Sequence, residues 1–169
     1  MSDLRPVEPL GSKRHRRQDF DCGYPSLNRW LQSYASQSQR RDVARSFVVA
    51  DQDLNVVGYY TLVAGQVEHE AATQSVSAGI SRHFPIPICL LARLAVDQTW
   101  QGRGIGSDLL RDSLRRAVAA GDQIGIRAVT VDAVDDRAAM FYRQYGFEPA
   151  SSDNLTLMVP IAGVCDQLP

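Results

Sequence analysis

Leu27, Trp30, Leu31 and Tyr34 recur at i, i+3, i+4 and i+7, the spacing that puts side chains on one face of an α-helix. The stripe predicts an amphipathic helix of roughly three turns, with Pro25 tolerated near its start. Ser46 to Ala50 and Val56 to Val67 are rich in valine, tyrosine and threonine, and Asp51 to Asn55 between them reads as a hairpin connection. Residues 68–84 show no clear period and predict a connector with some helix. The segment PIPICLLARLAVD from Pro85 is β-branched and leucine-rich, as a buried strand is. A loop from Gln98 to Gly106 then opens a helix ending near Gly121, with Leu110, Leu114 and Ala117 on its apolar stripe. Asp108, Arg111, Asp112, Arg115 and Arg116 form its polar side. Ala128 to Ala133 predicts a strand, Asp135 or Asp136 caps a last helix stopped by Gly146, and Thr156 to Ile161 closes the sheet. This order requires a mixed sheet, antiparallel first and with a crossover later, flanked by helices in an α/β fold.

A length of 169 residues with 44% hydrophobic side chains suits a single domain, 1–169, with one core. No apolar run approaches the roughly 18 residues of a membrane span, and the start, MSDLRPVEPL, lacks an apolar signal core. These features predict a cytoplasmic protein without a membrane association. Cys22, Cys89 and Cys165 have no CxxC spacing and too few histidines nearby for zinc, so they read as reduced thiols and no metal is expected. The net charge of −1 hides an asymmetry: residues 1–50 carry nine basic and five acidic side chains, whereas the remainder carries nine and fourteen. Seventeen of the 18 basic residues are arginine, and the cluster Lys13 to Arg17 reads either as a solvated loop or as a phosphate-binding patch.

The chemistry concentrates in Gln101-Gly102-Arg103-Gly104-Ile105-Gly106, between a predicted buried strand and a predicted helix. Amides at a helix start lack intrahelical partners, glycines let an anion approach the backbone, and the helix dipole adds positive potential there. Glycines in such a place also serve turns alone. The spacing is neither the GxGxxG of a dinucleotide fold nor the GK[ST] of a P-loop.

The Gln-x-x-Gly-x-Gly loop after LARLAVD, with FYRQYGF downstream, resembles the GCN5-related N-acetyltransferases over nearly the whole chain. The resemblance implies acetyl-CoA as donor. Backbone groups of Leu94, Ala95 and Val96 would pair with its pantetheine arm, and the loop from Gln101 to Ser107 would take the pyrophosphate. FDCG followed by LNRWL, then GYYTL, PIPICLLARLAVD and the terminal LMVPI are similar to acetyltransferase toxins of toxin–antitoxin modules. As that resemblance implies, the acceptor is the α-amine of aminoacyl-tRNA. A ribbon-helix-helix antitoxin and a homodimer are implied in the same way.

Tyr142 matches the tyrosine that the family places near the sulfur, where a phenol of reference pKa about 10 serves as general acid. Periodicity alone reads Ala138, Phe141, Tyr142 and Tyr145 as a core stripe, with Phe141 against cofactor or core. No strong general base stands out, and an α-amine titrating near 7.7–8.0 needs none. A charged tRNA would need a basic surface, for which Arg14, Arg16, Arg17, Arg40, Arg41, Arg45, Arg82 and Arg93 are candidates. A protein N-terminus or a small amine as acceptor, and a non-catalytic CoA-binding module, remain open at this level.

Overall fold

The computed structural model describes residues 3–150 and 153–167. Its contacts group into two units, Met1–Val63 with Ala92–Ser113, and Ala64–Leu91 with Leu114–Pro169. Among the described residues seven strands build one mixed sheet.

In the first unit, β1 (Glu8–Pro9) pairs antiparallel with β2 (Arg45–Ala50), which pairs antiparallel with β3 (Val56–Val67). The predicted hairpin is therefore present; β1 was not expected, since two residues carry no alternation to detect. The Asp51 carboxylate closes the turn by accepting from the Asp53 and Asn55 amides, each at 2.9 Å. Before the hairpin, α1 (Pro25–Arg29) passes through a π-helical turn, Trp30–Tyr34, into α2 (Ala35–Arg40). This corrects the expected uniform helix. The wider π turn shifts the register, so Ala35 is buried where the stripe had placed Tyr34, which is exposed.

Strand alternation in β3 sends successive side chains to opposite faces. Tyr59 donates its hydroxyl to the Leu27 carbonyl at 2.7 Å, and the Thr61 hydroxyl accepts from Trp30 Nε1 at 3.2 Å, so this face holds α1. The opposite face carries Tyr60, whose hydroxyl meets Asp112 Oδ2 at 2.5 Å on α4 (Ile105–Gly121). Asp112 is thus half-buried and structural, not part of a solvated face as its place in the pattern suggested. Gly58 lies on the same side, where an added Cβ would stand 2.8 Å from Leu109 Cδ1, so β3 approaches α4 closely there and a larger residue would push the Leu109 side chain aside. Leu10, Phe20, Leu27, Leu31, Val48 and Tyr59 fill the core on the α1 side.

In the second unit β4 (Ile86–Val96) pairs parallel with β5 (Ala128–Asp132), and β7 (Asp153–Pro160) lies antiparallel between β5 and β6 (Glu148–Ala150). The mixed sheet follows the predicted order. Two short elements went unforeseen: β6, and α6 (Ile161–Gln167), which takes Ile161 out of the expected last strand. Residues 68–84 contain a 3₁₀ turn, His69–Ala71, and α3 (Gln74–Ser77). Arg127 holds that connector by donating to the carbonyls of Val76 and Ala78, both at 2.8 Å. Asp135 caps α5 (Asp136–Arg143) by accepting from the Ala138 amide at 2.8 Å, and Gly146 follows at φ +88°. Among the described residues no helix is long and apolar enough to cross a membrane.

Candidate active site

The glycine-rich loop begins where β4 ends, and its geometry is set by neighbours in the first unit. Asp97 closes the strand: Oδ1 accepts from the Thr99 amide at 2.9 Å and its hydroxyl at 2.8 Å, while Oδ2 accepts from the Asp21 amide at 3.0 Å. The Gln98 amide donates back to the Asp21 carbonyl at 2.8 Å. Gly23 follows at φ +94°, where a Cβ would stand 2.7 Å from Gln98 Nε2. The FDCG segment is therefore a clamp on the glycine-rich loop, a role that neither periodicity nor resemblance had assigned to it.

Gln101, counted from sequence among the cofactor ligands, directs its side-chain amide inward to the carbonyls of Val96 at 2.8 Å and Cys22 at 3.2 Å. It fixes the loop's entry. Gly102 and Gly104 adopt φ +79° and +83°, with no heavy atom within 4 Å of a Cβ at either position, so backbone conformation and not space selects glycine. The first helical bond of α4 runs from the Asp108 amide to the Gly104 carbonyl. Among the described residues the amides of Gly102, Arg103, Gly104, Ile105 and Gly106 have no acceptor, as an anion-binding helix start requires. Ser107 lies in the first turn, and the exposed Arg103 holds its guanidinium 4.8 Å from the Trp100 ring centre. The loop therefore fits a pyrophosphate. A neighbouring cleft of about 400 Å³ does not, because Asp19, Asp51 and Asp97 line it with a single arginine, Arg16.

Leu94, Ala95 and Val96 occupy the last part of β4, with Ala95 buried and its two neighbours half-buried. In the second unit Tyr142 is buried between Phe141 and Phe147, with ring centres 5.3 and 5.6 Å away in edge-on contact. Burial pushes its hydroxyl well above the usual phenol range and keeps it protonated. No described residue hydrogen-bonds that hydroxyl, which leaves it available as a donor. Phe141 packs on both Tyr142 and Tyr145.

The eight arginines proposed for RNA do not form one set. Arg17 donates to the Leu31 carbonyl at 3.2 Å and to Ser36 Oγ at 2.8 Å and so anchors the helix. Arg14 pairs with Glu8 at 2.6 Å, beside the buried His15, so the basic cluster there is partly a folded polar core. Arg40, Arg41 and Arg45 gather where α2 leads into β2 and are all exposed; Arg45 bonds Asp42 and the Gln39 carbonyl. Arg16 is exposed at the cleft, and Arg82 is exposed in the second unit. Arg93 is half-buried with its guanidinium carbon 3.8 Å from the Trp30 ring centre.

Residues 44–149 match the family described as acetyltransferase (GNAT) domain. The chain is 43% identical over 140 residues to a tRNA-acetylating toxin of Mycobacterium tuberculosis, covering 83% of this chain and 82% of the relative. It is similar to the solved structure of AtaT complexed with acetyl-methionyl-tRNAfMet, at 29% identity and a TM-score of 0.87, over 96% of this chain and 97% of that one. A tyrosine-to-phenylalanine mutant of AtaT bound to the C-terminus of the antitoxin AtaR and acetyl-CoA matches at 27% identity and a TM-score of 0.82, over 96% of each chain. The chain belongs to the GNAT family of acetyltransferases.

Proposed function

We propose that this protein is an acetyl-CoA-dependent N-acetyltransferase that acetylates the α-amino group of aminoacyl-tRNA, blocks translation as a toxin and is neutralised by a cognate antitoxin. The observation that carries the acceptor is the 43% identity, over most of both chains, to a relative named for acetylating tRNA. The donor reading rests on the unpartnered amides from Gly102 to Gly106, which suit the pyrophosphate of acetyl-CoA. Bound there, acetyl-CoA supplies an activated acyl carbonyl and a thiolate leaving group.

The residues of this chain do the rest. The loop amides and the positive end of α4 hold the pyrophosphate, and the backbone of Leu94, Ala95 and Val96 orients the pantetheine arm. As the amine nitrogen forms the new C–N bond, the C–S bond breaks and sulfur takes the proton of the Tyr142 hydroxyl. The proton lost from nitrogen leaves to water, from which Tyr142 is reprotonated. The reading extends to a single domain, because β3, β4 and α4 each run from one contact unit into the other. It also includes a cytoplasmic homodimer and an antitoxin of ribbon-helix-helix type.

The test is transfer of labelled acetyl from acetyl-CoA to a mixture of aminoacylated tRNAs, with uncharged tRNA as control. Label on charged tRNA alone is expected. Label on peptides or small amines with none on charged tRNA would refute the acceptor.

A further inference from the structure

Holding acetyl-CoA leaves three side chains of the first unit without a task. Trp30 lies between β3 and an arginine: its Nε1 donates to Thr61 Oγ1 at 3.2 Å, Thr61 meets Ser46 Oγ at 2.8 Å, and Arg93 sits 3.8 Å from the ring centre. Tyr34 stacks on the same indole, with ring centres 6.2 Å apart and 29° between planes. The indole is pinned, while Tyr34 is 49% exposed.

Two features go beyond what packing needs. Among the described residues the Arg93 guanidinium makes no hydrogen bond and no ion pair, although it is half-buried. Taking a charge partly out of water without a counter-charge is unfavourable, and an indole face offsets only part of that. The second feature is the π turn, which takes Tyr34 off the core stripe and presents it beside Trp30. Such turns are rare and gather at functional sites.

We infer that Trp30, Tyr34 and Arg93 form a seat for an unpaired nucleobase and its phosphate at the 3′ end of the acceptor RNA. The exposed aromatic surface stacks the base and the unpaired guanidinium takes the phosphate. Arg93 immediately precedes Leu94 to Val96 on β4, a stretch of about 10 Å along which the donor's arm is expected to lie. An aminoacyl ester is carried on the terminal ribose, so the last nucleotides must bind next to the reacting amine. This inference rests on aminoacyl-tRNA being the acceptor.

Trp30 and Trp100 are the two tryptophans, so Trp100→Phe makes Trp30 the sole indole fluorophore. That variant is titrated with an uncharged acceptor-stem hairpin carrying an unpaired 3′ tail, and with the same hairpin made blunt. The tailed RNA is expected to quench Trp30 and to bind about tenfold more tightly than the blunt one, with the preference lost in Arg93→Gln and in Tyr34→Ser. Tyr34 is exposed, so Tyr34→Ser keeps the fold even where an Arg93 variant does not. In steady state both substitutions lower the ratio of kcat/KM for charged tRNA to that for an amino-acid methyl ester by about tenfold, through KM for tRNA. Equal binding of tailed and blunt hairpins, or an equal fall toward tRNA and methyl ester, overturns the seat. Failure of the unsubstituted protein to acetylate any charged tRNA overturns the acceptor itself, which separates the two failures.

Discussion

A phenol is useful to a departing thiolate only while it keeps its proton, and Tyr142 keeps it because burial disfavours the phenolate. Tyr142→Phe is therefore expected to lower kcat about 10²- to 10⁴-fold, the range for a lost general acid, with acetyl-CoA affinity little changed. Full activity in the variant would return Tyr142 to a packing role. The pH profile follows from the same direction. The folded hydroxyl titrates above the ordinary value of about 10, so it remains a donor throughout, whereas the α-amine becomes nucleophilic only as it deprotonates near 7.7–8.0. Initial rates of kcat/KM for charged tRNA should rise about tenfold per pH unit below that region and then level. A descending limb between about pH 8 and 10 would contradict the assignment. At this scale the resemblance in FYRQYGF pointed to the tyrosine, and periodicity predicted the burial that the structure shows. Gln101 was legible as part of the motif but not in its role, because only the folded chain brings the Cys22 and Val96 carbonyls to its amide.

Among the elements, the end of β4 sets the geometry of the glycine-rich loop. Asp97 accepts from two amides and a hydroxyl there, and one of those amides belongs to Asp21 in the distant FDCG segment. Asp97→Ala is expected to lower stability by about 1.5–3 kcal/mol, the range for hydrogen bonds to a charged group. A calorimetric Tm lower by roughly 3–12 °C follows for a chain of this size. Weaker acetyl-CoA binding by isothermal titration should accompany it, since the loop loses its anchor; unchanged affinity would mean that the glycines shape the loop alone. The strands and long helices were readable because periods of 2 and 3.6 residues report buried faces directly. The π turn was not, because a change of helical register leaves no mark in the spacing of Leu27, Trp30, Leu31 and Tyr34. Residues 68–84 were opaque for another reason: α3 is four residues long and is held by Arg127, so its structure comes from outside its own sequence.

Taken over the whole molecule, net charge says little about RNA binding, and the distribution says more. Arg40, Arg41 and Arg45 gather in one exposed region, and the first 50 residues are net basic although the chain is not. If Arg40 and Arg41 each meet a phosphate, Arg40→Gln with Arg41→Gln should reduce the slope of log K against log salt for tRNA by about two. An unchanged slope would place the phosphate contacts elsewhere. Arg14 and Arg17 should contribute little, because one is paired with Glu8 and the other holds the helix.

By itself the sequence determined the order of the main elements, the mixed sheet, the strand–loop–helix that carries the glycines, and the family. Each depends on chemistry local in the chain: hydrophobic period, turn residues, or a motif of adjacent positions. Only the tertiary structure decided that Arg17 anchors the helix, that Asp112 serves Tyr60, that FDCG clamps the glycine-rich loop, and that Arg93 lies over Trp30. Those facts depend on residues far apart in sequence meeting across strands and helices, and neither spacing nor composition records such meetings.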